Sequence, residues 1–173
     1  FPKVEEIGTI IYVAEEKECL GYMVIADKVK ENAKKTIDTL KNKNHIETTI
    51  MLTGDKKEIA NHIAKQVGID KVYSELLPKD KVDKLEMILH KQQKNNKVAF
   101  VGDGMNDAPV LTRSDIGIAM GALGSDAAIE AADVVIMDDD ISKISDAILI
   151  SQRTIQIVKQ NIYFAIGIKI FFL

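Results

Sequence analysis

The chain has little of what most metal, redox and nucleic-acid sites need. It holds a single cysteine, Cys19, among 173 residues, which excludes an intrachain disulfide and cannot by itself build a thiolate metal site. A reducing compartment fits, and the apolar neighbours Leu20, Tyr22 and Val24 place Cys19 in a packed core. The three histidines, His45, His62 and His90, are too scattered for a metal cluster and are assigned surface or packing roles. Net charge is only −3 and no basic stripe with interleaved aromatics occurs, so nucleic acid is not expected as a partner. Repeats and low-complexity segments are absent. With 46% apolar and 28% charged residues the composition is that of a globular protein of one main domain. The opening Phe1-Pro2-Lys3 carries neither an initiator methionine nor a signal-peptide pattern, which suggests a start inside a longer protein.

What is present alternates. Apolar runs at Thr9 to Ala14 and Leu20 to Ala26 flank a polar turn and suggest a β-hairpin. Val29, Ala33, Ile37 and Leu40 have helical spacing, with Asp27 as N-cap and as a hinge between subdomains. Ile46 to Leu52 is a strand; Asp55 and Glu58 have the N-cap and N3 spacing of a capping box, opening a helix that ends near Gly68. A short strand at Lys71 to Ser74 precedes Pro78, which starts a helix to Lys94. Strand, helix, strand, helix and strand follow at Val98 to Val101, Asp107 to Arg113, Asp115 to Met120, Ser125 to Ala132 and Val134 to Met137, and a long helix begins at Ile141. Repeated strand-loop-helix units imply an α/β fold, a Rossmann-like doubly wound parallel sheet with ligands at the carboxyl ends of its strands.

Two turns at such ends carry chemistry. Thr53-Gly54-Asp55 offers a hydroxyl, backbone N–H groups and a helix N-terminus to an anion, or is ordinary strand-to-helix punctuation. Lys79 and Lys81, opening the next helix, supply positive charge or are simply solvated. The stretch Val101-Gly102-Asp103-Gly104-Met105-Asn106-Asp107-Ala108-Pro109 is more specific. Two glycines let backbone approach a ligand, and Asp103 and Asp107 offer the hard oxygens that Mg²⁺ prefers. The alternative is an Asx-rich turn. A hydroxyl, a lysine and a carboxylate pair at successive strand ends suit phosphoryl transfer, where catalysis is positioning and charge neutralisation.

Thr53-Gly54-Asp55, Pro78-Lys79-Asp80-Lys81 and Gly102-Asp103-Gly104-Met105-Asn106-Asp107-Ala108-Pro109-Val110-Leu111, in this order, resemble the phosphorylation domain of P-type ATPases, within the haloacid-dehalogenase-like superfamily. The resemblance implies three parts. Residues 1–26 are the end of a nucleotide-binding domain, 27–150 most of a phosphorylation domain, and 151–173 a linker and the start of a transmembrane helix. It further implies that Thr53 and Gly54 hold the phosphoryl group of an ATP-derived intermediate, that Lys81 stabilises its charge, and that Asp103 binds Mg²⁺. Asn106 and Asp107 then organise the phosphate and the metal's outer shell, and Asp55 belongs to the same catalytic corner. These pumps phosphorylate an aspartate in Asp-Lys-Thr-Gly-Thr, which is absent here: the Asp-Lys pairs at Asp27, Asp55, Asp70 and Asp80 continue differently. The missing segment is the central strand of the fold, so a chain lacking it is expected to be inactive alone and aggregation-prone through exposed strand edges.

From Ile162 to Leu173 the sequence is almost wholly apolar. Twelve helical residues rise about 18 Å against a hydrocarbon core of about 30 Å, so this is half a span or a buried terminal helix of a soluble protein. Arg153 and Lys159, with no acidic residue after Asp146, suit a cytoplasmic flank. The segment Gln160 to Lys169 and the loop Gly121 to Asp126 resemble the heavy-metal branch that exports Zn²⁺, Cd²⁺ or Pb²⁺, with Lys169 near the transport site. An intramembrane lysine is costly, and a snorkelling residue is the alternative. The resemblance thus implies a cell-membrane pump, this segment mostly cytoplasmic, whose partners are the transported ion, the membrane and the rest of the same polypeptide. A soluble haloacid-dehalogenase-like phosphatase, or a non-catalytic phosphate-binding relative, is the rival reading.

Overall fold

The computed structural model describes residues 8–15, 18–25, 29–102, 105–121 and 126–172. Asp27, Asp103, Gly104 and the loop 122–125 therefore lie outside the described residues. Strands β1 (Thr9–Glu15) and β2 (Glu18–Ile25) pair antiparallel, with a register shift between Val13 and Ala14. A two-stranded ribbon can bury little of its own surface. Leu20 and Met23 are more than half exposed, and Cys19 is exposed as well. Cys19 is thus not the core thiol its apolar neighbours suggested; the hairpin that carries it is apolar but uncovered.

The helix expected after Asp27 is α1 (Ala33–Asn42), with Asn32 at its N-cap. Next come β3 (Ile50–Leu52), α2 (Lys57–Val67), β4 (Lys71–Tyr73) and α3 (Pro78–Lys91). The capping box is not formed: Lys56 is the N-cap of α2 and makes no side-chain cap. Gly68, in the left-handed region at φ +86°, ends that helix, and Pro78 occupies the first turn of α3, both as expected. β5 (Ala99–Gly102) leads through a 3₁₀ turn (Met105–Asp107) into α4 (Ala108–Arg113). β6 (Ile116–Met120), α5 (Asp126–Ala131), β7 (Val134–Ile136) and the 29-residue α6 (Lys143–Phe171) complete the order.

All strands after the hairpin pair in parallel, but in two pieces: β3 with β4, and β5-β6-β7 in that order. Among the described residues β3 pairs only with β4, and β5 only with β6. The pieces are joined at both ends. Near the amino ends Asn96 donates to Glu47 at 2.7 Å, and near the carboxyl ends Lys81 on α3 meets Asp107 beyond β5. The larger piece is covered on both faces, as a doubly wound sheet requires. Ile118, Met120 and Ile136 pack with Leu40 of α1 and Ile144 of α6, while Ala119, pointing the other way, packs with Leu111 of α4 and Ala128 of α5. β3 and β5 are less protected: Ile50, Met51 and Leu52 are only half-buried and Val101 is exposed.

One device recurs at the amino ends. Asp70, Asp115 and Asp133 each immediately precede a strand, and each carboxylate accepts a backbone N–H at the start of the neighbouring strand or just before it. The donors are Thr49 at 2.8 Å, Val98 at 2.9 Å and Gly117 at 2.8 Å. Asp70 also takes the Thr49 hydroxyl at 2.8 Å and Lys41 Nζ at 2.6 Å. The Lys41 ammonium, then the Thr49 N–H and hydroxyl, hold its pKa down at about 2. Asp115 lies below the usual carboxylate range through the Val98 N–H first and Lys97 second.

Candidate functional site

The carboxyl ends of β3, β4 and β5 gather the residues singled out in the sequence. Thr53, Gly54 and Asp55 form the turn leaving β3. Its backbone is fastened to the loop leaving β4: the Thr53 N–H donates to the Tyr73 carbonyl at 3.0 Å, Leu76 N–H to the Thr53 carbonyl at 3.1 Å, and Glu75 N–H to the Asp55 carbonyl at 2.9 Å. Glu75 sits at φ +57°, a left-handed conformation uncommon for a residue with a Cβ, and this bond is part of what holds it there. Leu77 then caps α3, donating its N–H to Asp80 Oδ2 at 2.9 Å, which sets the first turn and Lys81 with it.

Lys81 Nζ donates to Asp107 Oδ1 at 2.8 Å, with the two side chains only 19% and 13% exposed. This bridge ties the β3–β4 piece to the β5–β7 piece. Asp107 folds back over the end of β5, and Gly102 makes that possible. A Cβ there would lie 2.8 Å from Asp107 Cβ and 3.1 Å from Phe100 Cε1. Gly102 thus accommodates the protein's own carboxylate, where the sequence suggested approach of a ligand. Asn106 is exposed in the 3₁₀ turn beside Asp107. Asp103 lies outside the described residues, so its position is not part of this geometry. Lys169 is exposed near the far end of α6, 26 residues along from its start at Lys143 and so about 39 Å away along the axis.

Among the described residues, no cluster of three or more His, Cys, Asp or Glu side chains could hold a metal ion. Mg²⁺ does not need one: it takes one or two protein carboxylates and completes its shell with water and phosphate oxygens. The Asp107 carboxylate, at a turn where phosphate is expected, suits it in donor type. The arrangement can hold an anion at a lysine, a hydroxyl and exposed loop backbone, beside a hard oxygen donor.

A family model for haloacid dehalogenase-like hydrolases matches residues 2–115. The chain belongs to this family. Among relatives of this haloacid dehalogenase-like domain, the cadmium, zinc and cobalt-transporting ATPase of Bacillus subtilis (strain 168) is 52% identical over 98% of the chain and 24% of its own length. The zinc-transporting ATPase of Synechocystis sp. is 51% identical over 96% of the chain and 23% of its own length. In three dimensions the domain is similar to a crystal structure of a zinc-transporting PIB-type ATPase in the E2.Pi state. The TM-score is 0.76 at 32% identity, over 91% of this chain and 25% of that one. The chain spans about a quarter of the length of these relatives.

Three contributors to the candidate site escaped the sequence reading: the own-carboxylate role of Gly102, the Glu75–Leu76 backbone clamp and the cap by Asp80. Asp80, three residues beyond Leu77, carries the N3 spacing of a capping residue and could have been found. Glu75 could not, since nothing marks a glutamate for a left-handed conformation.

Proposed function

We propose that the chain is the phosphorylation-domain portion of an ATP-driven exporter of Zn²⁺ or Cd²⁺, in which formation and hydrolysis of an aspartyl phosphate drive ion movement. The Lys81–Asp107 bridge between the two sheet pieces carries the reading, because it places an ammonium and a carboxylate together at the carboxyl ends where a phosphoryl group and its metal would sit. The similarity to zinc- and cadmium-transporting ATPases over nearly the whole chain supports the pump over a free phosphatase. In this reading Thr53 and Gly54 bind the phosphoryl oxygens, Lys81 offsets their charge, and Asn106 orients the group. Asp103 and Asp107 hold Mg²⁺, which supplies further charge neutralisation when bound. The nucleophilic aspartate comes from elsewhere in the polypeptide, on a strand entering between β3 and β5. The half-buried flanks of those strands and their single pairings support a place for it.

No helix among the described residues is long and apolar enough to cross a membrane. Even so, Tyr163, Phe164, Ile170 and Phe171 of α6 are all more than 70% exposed. We assign this end of α6 to the membrane boundary of the pump, with Lys169 near the ion path and the rest of the domain on the cytoplasmic side. ATPase activity of the full-length protein is expected to be stimulated by Zn²⁺ or Cd²⁺ and lost in Asp103→Ala. Stimulation by Cu⁺ alone would overturn the ion assignment, and retention of full activity in Asp103→Ala would overturn the site.

A further inference from the structure

We propose that Asp55 is a positioning residue that withholds the Thr53 hydroxyl from the phosphoryl site until a ligand displaces it; this deepens the phosphoryl-transfer reading and rests on it. The Thr53 hydroxyl donates to Asp55 Oδ2 at 2.7 Å, and the Asp55 N–H donates back to Thr53 Oγ1 at 3.1 Å. A hydroxyl has one proton to give and two lone pairs. Its proton is committed to a carboxylate, the stronger kind of acceptor, and one lone pair is taken. In this state Thr53 has nothing to donate to a phosphoryl oxygen.

The backbone around the pair does not share that freedom. Thr53 is bonded through its N–H to Tyr73 at the end of β4 and through its carbonyl to Leu76 in the β4–α3 loop, and the Asp55 carbonyl is bonded to Glu75. Redirecting the hydroxyl is therefore a side-chain rotation about fixed backbone, not a loop movement. Asp55 is exposed, so its carboxylate can return to water when a phosphoryl oxygen takes the proton. The exchange costs binding: an incoming anion competes with Asp55 for one proton and meets its negative charge. Asp55 thereby favours a corner that lets free inorganic phosphate go.

The test uses membranes holding the full-length protein, with orthovanadate and Mg²⁺ as the probe and protection from limited trypsin digestion as the readout, which needs no turnover. Asp55→Ala removes both acceptor and charge, and is expected to lower the half-protecting vanadate concentration about fivefold, the worth of one hydrogen bond. Asp55→Asn keeps an acceptor oxygen and is expected to gain less. In a Thr53→Val background the Asp55→Ala gain should vanish. Equal gains for both Asp55 variants that persist in Thr53→Val would overturn the proposal in favour of charge alone, as would no gain in Asp55→Ala. If the unaltered protein shows no vanadate-dependent protection, the phosphoryl-site reading itself falls, and this role for Asp55 with it.

Discussion

At the scale of the residue, Gly102 and Asp70 show how differently one side chain can matter. Gly102→Ala places a methyl group against Asp107 Cβ and the Phe100 ring. In the full-length protein we expect this domain to be destabilised by about 1–3 kcal/mol, typical of overpacking, read as a lower thermal-inactivation temperature, together with loss of ATPase activity as Asp107 is pushed off Lys81. Asp70 acts through titration. Its folded pKa of about 2 lies below the unfolded value of about 3.9, so its stabilisation is complete above pH 4 and disappears as pH falls through 2. Asp70→Asn is therefore expected to be less stable than the unaltered chain at neutral pH and to flatten the acid limb between pH 4 and 2; an unchanged acid limb in thermal melts would count against the clamp. Asp70 precedes a Lys-Val pair and Asp115 follows Ser114, and neither context announces a partner on another strand. Such carboxylates are invisible in sequence because their donors, Thr49 and Val98, are distant along the chain.

At the scale of the element, the sequence was legible where periodicity and punctuation agree. Pro78 and Gly68 mark helix ends through backbone geometry that few other residues share, and β6 alternates Ile118, Ala119 and Met120 between two cores. It was less legible where local chemistry had two uses. Asp55 looks like an N-cap, yet its carboxylate is drawn to the Thr53 hydroxyl and the helix starts two residues later at Lys57. Cys19 and its neighbours look like core, yet apolar spacing cannot say whether a covering layer exists. The division of the sheet has its own consequence. β3 and β5 each carry a row of backbone groups without a strand partner among the described residues, a template for unwanted pairing. The isolated 173-residue chain is expected to aggregate at micromolar concentration. A monomer that melts cooperatively, with full amide protection across both strands, would refute this.

At the scale of the whole molecule, the candidate site joins parts that are far apart in the chain: Thr53 after β3, Lys81 in α3 and Asp107 after β5. Their motifs could be recognised in sequence, but that Lys81 and Asp107 touch could not, because contact follows from how two sheet pieces lie side by side. The three carboxylates at the opposite rim give this arrangement a direction. Each parallel pair has a carboxylate staple where its strands begin, whereas the turns at the upper rim are held by backbone bonds from Thr53 to Tyr73 and Leu76 and by the Lys81–Asp107 bridge. The Thr53 hydroxyl can turn there about a fixed backbone while Asp70, Asp115 and Asp133 keep the strands in step. The lower rim works as a bookbinding: with the strands sewn together there, only side chains need turn at the candidate site.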